Sequence, residues 1–153
     1  MKRQSVQSLY YITHVDNIPS MLEKGIFSHE RIESEKISFT PIYDEGIVSN
    51  RHKIIVPDGR NLWHFANVFF EPRNPMLYRV VHEKSEDNIA VLALHSELLE
   101  RHDVYVTTGN AAHSLSDILY PAQAKKQLPE IIKNSVNLEW WHDEDGSKRK
   151  IMA

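Results

Sequence analysis

The hydrophobic and polar positions near the start of the chain predict a strand that leads into a short helix. Residues 9–13 are rich in aromatic and β-branched side chains, which is typical of a buried strand. Asp16 belongs to the residue types favoured at helix N-caps, and apolar residues then recur at helical spacing over residues 17–24. Gly25 follows directly and is typical of a residue that ends a helix.

The middle of the chain contains a polar, irregular stretch that is followed by a series of apolar runs. Residues 28–61 are polar and irregular, and a stretch of this kind inside a small domain is usually functional or mobile. Three apolar runs follow at residues 62–70, 76–82 and 88–95, and each is interpreted as a strand. The last run is almost continuously apolar, which favours a core strand.

The remaining pattern predicts smaller elements. Ser96 is placed to cap a short helix over residues 97–101, and residues 103–107 resemble another strand. Residues 121–133 favour a helix that Pro129 ends or bends. Several short strands with few peripheral helices and no regular strand–helix alternation indicate a mixed α+β domain.

Composition narrows the class of protein. A chain of 153 residues suits one domain, and the absence of cysteine excludes disulfides and thiolate zinc sites. No secretory pattern opens the chain and no apolar run approaches the length of a membrane helix, so we expect a cytoplasmic protein without membrane contact. The net charge of −3 means that any contact with nucleic acid must use a local basic patch.

Common catalytic motifs are missing from the sequence. The nine histidines form no H-E-x-x-H pattern, so we expect no metal site. No G-x-S-x-G elbow marks a serine nucleophile, and neither glycine-rich nucleotide-binding loop is present. On composition alone, the aromatic residues are interpreted as core and a loop arginine as solvated.

Five segments in the same order along the chain nevertheless form a recognisable set. They are YYITH at residues 10–14 with a helix closed by Gly25, IVSNR at 47–51, FFEPRNPMLY at 69–78, TGNAA at 108–112 and RKIMA at 149–153. Together they resemble the DarT family, and the proline-bracketed third segment is the most specific of them. The resemblance covers nearly the whole chain.

This resemblance implies a fold, a reaction and partners. Members of the family have an ADP-ribosyltransferase fold, in which two small antiparallel sheets flank an NAD cleft and short helices lie at the periphery. They are toxins that transfer ADP-ribose from NAD, as co-substrate, onto a base of single-stranded DNA. DarG, an antitoxin whose macrodomain removes the modification, is the implied protein partner.

The resemblance also implies roles for particular residues. Arg51 corresponds to the catalytic arginine, which suits the chemistry because a guanidinium can hold a phosphate with two parallel hydrogen bonds. The residues implied to bind NAD are Ile12, Thr13, His14, Gly25, Ile47 and Arg51. Arg73, in the third segment, either faces the substrate or forms an ion pair with Glu71.

The sequence departs from the family pattern at its last residue. The family's catalytic glutamate directly follows the alanine of the final segment, and this sequence stops at Ala153. We therefore expect residues 1–153 to be a single, C-terminally truncated DarT-like domain with little or no activity. Two alternatives stay open: a transferase of the same fold that modifies RNA or protein, and a catalytically dead interaction module.

Overall fold

The computed structural model describes residues 6–43 and 48–132. The strands are β1 (Ser8–His14), β2 (Ile89–His95), β3 (Val106–Thr107) and β4 (Ile118–Leu119). The α-helices are α1 (Ile18–Lys24), α2 (His29–Ser34), α3 (Pro75–Lys84) and α4 (Pro121–Ile131). Short 3₁₀ turns occupy Val15–Asn17, Asn50–Lys53, Leu62–His64, Glu86–Asn88 and Ser96–Glu100.

The strands form two small antiparallel sheets, which confirms the predicted α+β class. β1 pairs with β2 from Ser8 opposite His95 to His14 opposite Ile89. β3 pairs with β4 in a separate two-stranded ribbon. The two sheets have separate apolar clusters, because a small sheet buries one face against the nearest helix.

The cluster beneath β1 contains Ile12, Ile42 and Val80, and Phe69 and Leu77 pack against it. The second cluster combines buried residues of β3, β4 and α4. β1 is therefore held on one face by α3 and along one edge by β2. Within the described ranges, every helix is too short or too polar to cross a membrane.

The start of α1 corrects one expectation and confirms another. Asp16 is not the cap: the ring Nδ1 of His14 accepts a hydrogen bond from the Asp16 N–H at 3.1 Å and caps the Val15–Asn17 turn. Gly25 does end the helix, with φ of 95°, a conformation that side-chain-bearing residues rarely adopt. The predicted strand and helix are both present.

Two predicted strands are wrong. Residues 76–82 lie in helix α3, where Asn74 caps the first turn by accepting from Leu77 N–H at 3.0 Å and Pro75 occupies the first helical position. Residues 62–70 begin with the Leu62–His64 turn, which the Asn61 side chain caps. Only Phe69 of that run reaches a strand, through paired backbone bonds of 2.8 Å with Tyr10.

Later elements differ from prediction in extent. The strand expected over residues 103–107 is reduced to Val106–Thr107, and the Ser96–Glu100 turn begins without a side-chain cap. α4 continues past Pro129 to Ile131, and Lys133 lies outside the described residues. β2 is present but alternates between half-buried and exposed positions, so it is not a fully buried core strand.

Candidate functional site

Arg51 lies on the Asn50–Lys53 turn and is half-buried, which corrects its interpretation as a solvated loop residue. Burial lowers the pKa of the Arg51 guanidinium, and the nearby hydroxyls of Tyr43 and Tyr11 oppose that shift. Burial also raises the pKa of Tyr11, an effect that Arg51 opposes. Because Tyr11 belongs to β1, the structure places Arg51 beside the strand that carries three of the predicted NAD-binding residues.

The guanidinium of Arg51 meets the side-chain amide of Asn67. A guanidinium can only donate, so the amide oxygen faces it and accepts from Nη2 at 2.9 Å and also from Nη1. No aspartate or glutamate of residues 6–43 and 48–132 forms an ion pair with Arg51. Within that part of the chain, the arginine is held by a neutral acceptor rather than by a counter-charge.

Three rings that we call the ring stack lie next to this arginine: His29, Trp63 and His52. The indole of Trp63 stacks on His29 with centroids 4.5 Å apart, and the ring of His52 lies 4.2 Å from the same indole. The indole Nε1–H donates to Glu33 at 3.1 Å. The ring stack thus fastens the turn that bears Arg51 to helix α2 and to the Leu62–His64 turn.

His29, in the ring stack, has a strongly lowered pKa. Burial lowers its pKa from 6.5 to about 4, assisted by the positive charge of Arg51 and by His52, while Glu33 opposes the shift. Its Nδ1 also shares a hydrogen bond of 2.9 Å with the Tyr43 hydroxyl. His29 is therefore neutral at pH 7, and Arg51 remains the dominant positive charge of this group.

The pKa of His29 predicts how stability depends on pH. Between pH 6.5 and about 4 the unfolded chain binds a proton that the folded chain excludes, so stability is full above pH 6.5 and falls as the pH drops through this window. Because His29 is partly exposed, we expect the loss to be roughly 1–2 kcal/mol. Urea unfolding between pH 4 and 7 measures it, and His29→Phe, which keeps the ring, is expected to flatten the profile. An unchanged slope in that variant would contradict the assignment.

The end of β1 is fixed by a buried asparagine. Asn17 donates through Nδ2 to the Thr13 hydroxyl at 3.2 Å and to the Thr40 carbonyl at 2.8 Å. Its Oδ1 accepts from Thr40 N–H at 2.7 Å. Thr13 and Asn17 are both buried, so this amide locks the strand end to the loop before Tyr43.

The other predicted NAD-binding residues occupy different environments. The side chain of Ile12 is in the core beneath β1, so Ile12 can reach a ligand only through its main chain. His14 is half-buried at the strand end, and Gly25 closes α1. Ile47 lies outside the described residues, as does the RKIMA segment at 149–153.

The structure also bears on the predicted pairing of Arg73 with Glu71 and on metal binding. Glu71 and Arg73 do not form an ion pair within 4 Å, although burial raises the pKa of Glu71 and the charge of Arg73 opposes that shift. Among the described residues, no three histidine, aspartate or glutamate side chains are grouped as metal ligands.

Sequence reasoning missed Asn67, His29, Trp63 and Tyr43 as neighbours of Arg51. Each is distant from residue 51 in the chain or belongs to the irregular region, where no periodic pattern predicts contacts. The only signal in the sequence is the abundance of polar and aromatic residues around the PDG turn at 57–59. This composition does not predict which residues contact Arg51.

The chain is similar in sequence and in fold to known proteins. The family model described as "DarT: ssDNA thymidine ADP-ribosyltransferase" matches residues 10–153, and the chain belongs to that family. A DNA ADP-ribosyl transferase–DNA ADP-ribosyl glycohydrolase fusion protein of Thermosipho africanus (strain H17ap60334) is 46% identical over 151 residues. That match covers 96% of this chain and 38% of the relative, so the chain spans little more than a third of it.

The fold is also similar to that of solved DarT structures. The Thermosipho africanus DarTG in complex with ADP-ribose superimposes with a TM-score of 0.83 at 45% identity, covering 95% of this chain and 39% of that one. The Thermus sp. 2.9 DarT in complex with ADP-ribosylated ssDNA gives a TM-score of 0.77 at 20% identity, covering 95% and 71% respectively. At that lower identity the likeness establishes the fold alone, and the fold agrees with the predicted ADP-ribosyltransferase class.

Proposed function

We propose that this chain is the NAD-dependent ADP-ribosyltransferase domain of a toxin and that it transfers ADP-ribose onto a base of single-stranded DNA. The observation that carries the proposal is Arg51, a half-buried cation held by the neutral amide of Asn67 beside β1. Family membership supplies the reaction class. The Thermus sp. relatives, whose structures are named as complexes with NAD+ and with ADP-ribosylated ssDNA, support the choice of substrates.

Arg51 acts in this proposal as the catalytic residue and as a ligand of the NAD diphosphate. Breaking the bond to nicotinamide builds positive charge on the ribose, and the diphosphate has to be held still while this happens. A guanidinium fixed in a partly desolvated site binds phosphate more strongly than one in water, and its planar fork sets the orientation. The further NAD-binding residues proposed are Ile12 (through its main chain), Thr13, His14, Gly25 and Ile47.

A carboxylate is also needed to stabilise the oxocarbenium-like centre or to activate the attacking base. In the family pattern that the chain resembles, that group is the glutamate directly after the alanine to which Ala153 corresponds. The proposed cellular context is the cytoplasm, with a DarG-like macrodomain antitoxin as partner. The fusion of transferase and glycohydrolase in the Thermosipho africanus relative supports this pairing.

Transfer from labelled NAD tests the proposed substrate. We expect the complete gene product to label single-stranded oligonucleotides at least about tenfold faster than the same sequences as duplex, because extruding a paired base costs a few kcal/mol. Thin-layer or gel separation of labelled DNA measures the rates. Label on RNA or protein with single-stranded DNA untouched would establish the first alternative, and absence of any transfer with retained DNA or antitoxin binding would establish the interaction module.

A further inference from the structure

Among the described residues, Asn67 stands out because its side chain contacts both terminal nitrogens of Arg51. The amide oxygen accepts from Nη1 and Nη2 together, which leaves Nε–H and the outer N–H groups for other acceptors. Asn67 is half-buried, so water competes less for this contact than at an open surface. The contact therefore restricts the plane of the guanidinium.

The main chain near Asn67 is anchored to β1. Phe69, two residues further on, exchanges two backbone hydrogen bonds of 2.8 Å with Tyr10, and its ring packs on the cluster beneath β1. Because Asn67 is only two residues from this anchored position, its contact with Arg51 fixes the guanidinium relative to β1, the strand that carries Thr13 and His14. The Asn50–Lys53 turn alone does not provide this restraint, because an arginine side chain rotates about four bonds.

The chemistry of an amide differs from that of a carboxylate at this position. An aspartate would form an ion pair with the guanidinium, in which both partners are charged, and would compete with an incoming phosphate. A neutral oxygen orients the arginine without itself compensating the charge of the guanidinium. This combination of orientation without neutralisation is what a site for a diphosphate requires.

We propose that Asn67 is a positioning residue that orients Arg51 towards the diphosphate of NAD without neutralising its charge. The inference rests on the proposed function, in which Arg51 binds NAD. It predicts different kinetic defects for two substitutions of Asn67, one that removes the amide and one that keeps its shape but adds a charge. Removing the amide frees the guanidinium, whereas replacing it with a carboxylate captures the guanidinium.

The experiment compares Asn67→Ala and Asn67→Asp in the complete gene product, with NAD affinity from calorimetry and transfer rates from single-turnover assays. We expect Asn67→Ala to lower the transfer rate on the order of 10- to 100-fold, the scale of a misplaced catalytic group. We expect the isosteric Asn67→Asp to weaken NAD binding at least about tenfold, since the new ion pair must be broken first. Raising the ionic strength is expected to narrow the Asp defect and leave the Ala defect unchanged.

Gln127→Ala and Gln127→Glu on the exposed side of α4 are the matched controls, and both are expected to behave as the parent protein. A packing role for Asn67 predicts that Asp, which preserves its shape, is tolerated. Parent-like NAD affinity in Asn67→Asp or a parent-like rate in Asn67→Ala overturns the proposal. Arg51→Ala separates the two hypotheses: if it retains NAD binding and transfer, the role of Arg51 itself fails, whereas loss in Arg51→Ala with parent-like Asn67 variants rejects only the positioning role.

Discussion

Arg51→Ala is expected to reduce ADP-ribose transfer by at least ~10²-fold in the complete gene product, the scale seen when one preorganised electrostatic group is removed. The physical reason is the position of the guanidinium, half-buried beside β1 and held by a neutral amide. Arg51→Lys is expected to recover little of the loss, because lysine retains the charge but cannot match the planar fork. Single-turnover transfer to a single-stranded oligonucleotide measures both variants.

Circular dichroism provides the folding control for these variants. We expect the native spectrum in each, because Arg51 belongs to neither apolar cluster and because, among residues 6–43 and 48–132, its removal leaves no ion-pair partner behind. Transfer at the parent rate in a folded Arg51→Ala protein would show that this arginine has no role in the transfer reaction.

Asn17→Ala is expected to be the most destabilising of the substitutions considered, at about 2–4 kcal/mol. The change removes three hydrogen bonds, to Thr13 and to both backbone groups of Thr40. It also leaves the Thr40 N–H and carbonyl without their side-chain partner in a part-buried environment. Urea unfolding measures the free-energy change.

Asn88→Ala is the matched control for Asn17, since Asn88 is exposed on a surface turn. Its effect is expected to stay within about 0.5 kcal/mol, as for most surface substitutions. If Asn17→Ala is as mild as Asn88→Ala, the strand end is held by packing rather than by this amide.

The elements predicted correctly are those whose signals are local. β1, α1 and β2 are predicted because β-branched and aromatic residues, helical spacing with a closing glycine, and a continuous apolar run are all local to the element concerned. Helix α3 was assigned as a strand because Val80, Val81 and Tyr78 suit strands, yet the sequence contained the opposite signal. Asn74 followed by Pro75 is a helix start, and giving that pair more weight than the β-branched residues predicts the helix.

The contacts within the candidate site are harder to predict from the sequence than the strands and helices. Arg51 is identified through the family pattern, whereas the contacts of Asn67 and of the ring stack join residues that lie far apart in the chain. The contacts of Trp63 with two histidine rings follow no spacing rule, because the three rings come from three separate elements. The roles assigned to the six NAD-binding residues stay predictions until binding is measured.

The pairing of β1 with β2 has a consequence for how the protein is made. Residues near the start of the chain find their strand partner only after His95 has left the ribosome, which takes several seconds at about 5–20 residues per second. Until then, the strand next to Arg51 lacks its main partner, and only the short backbone pairing of Tyr10 with Phe69 can form. The newly synthesised segment that contains β1 is thus exposed to chaperones and proteases before the proposed toxin can assemble its site, and the length of this delay follows from the sequence separation of β1 and β2 and from the rate of synthesis.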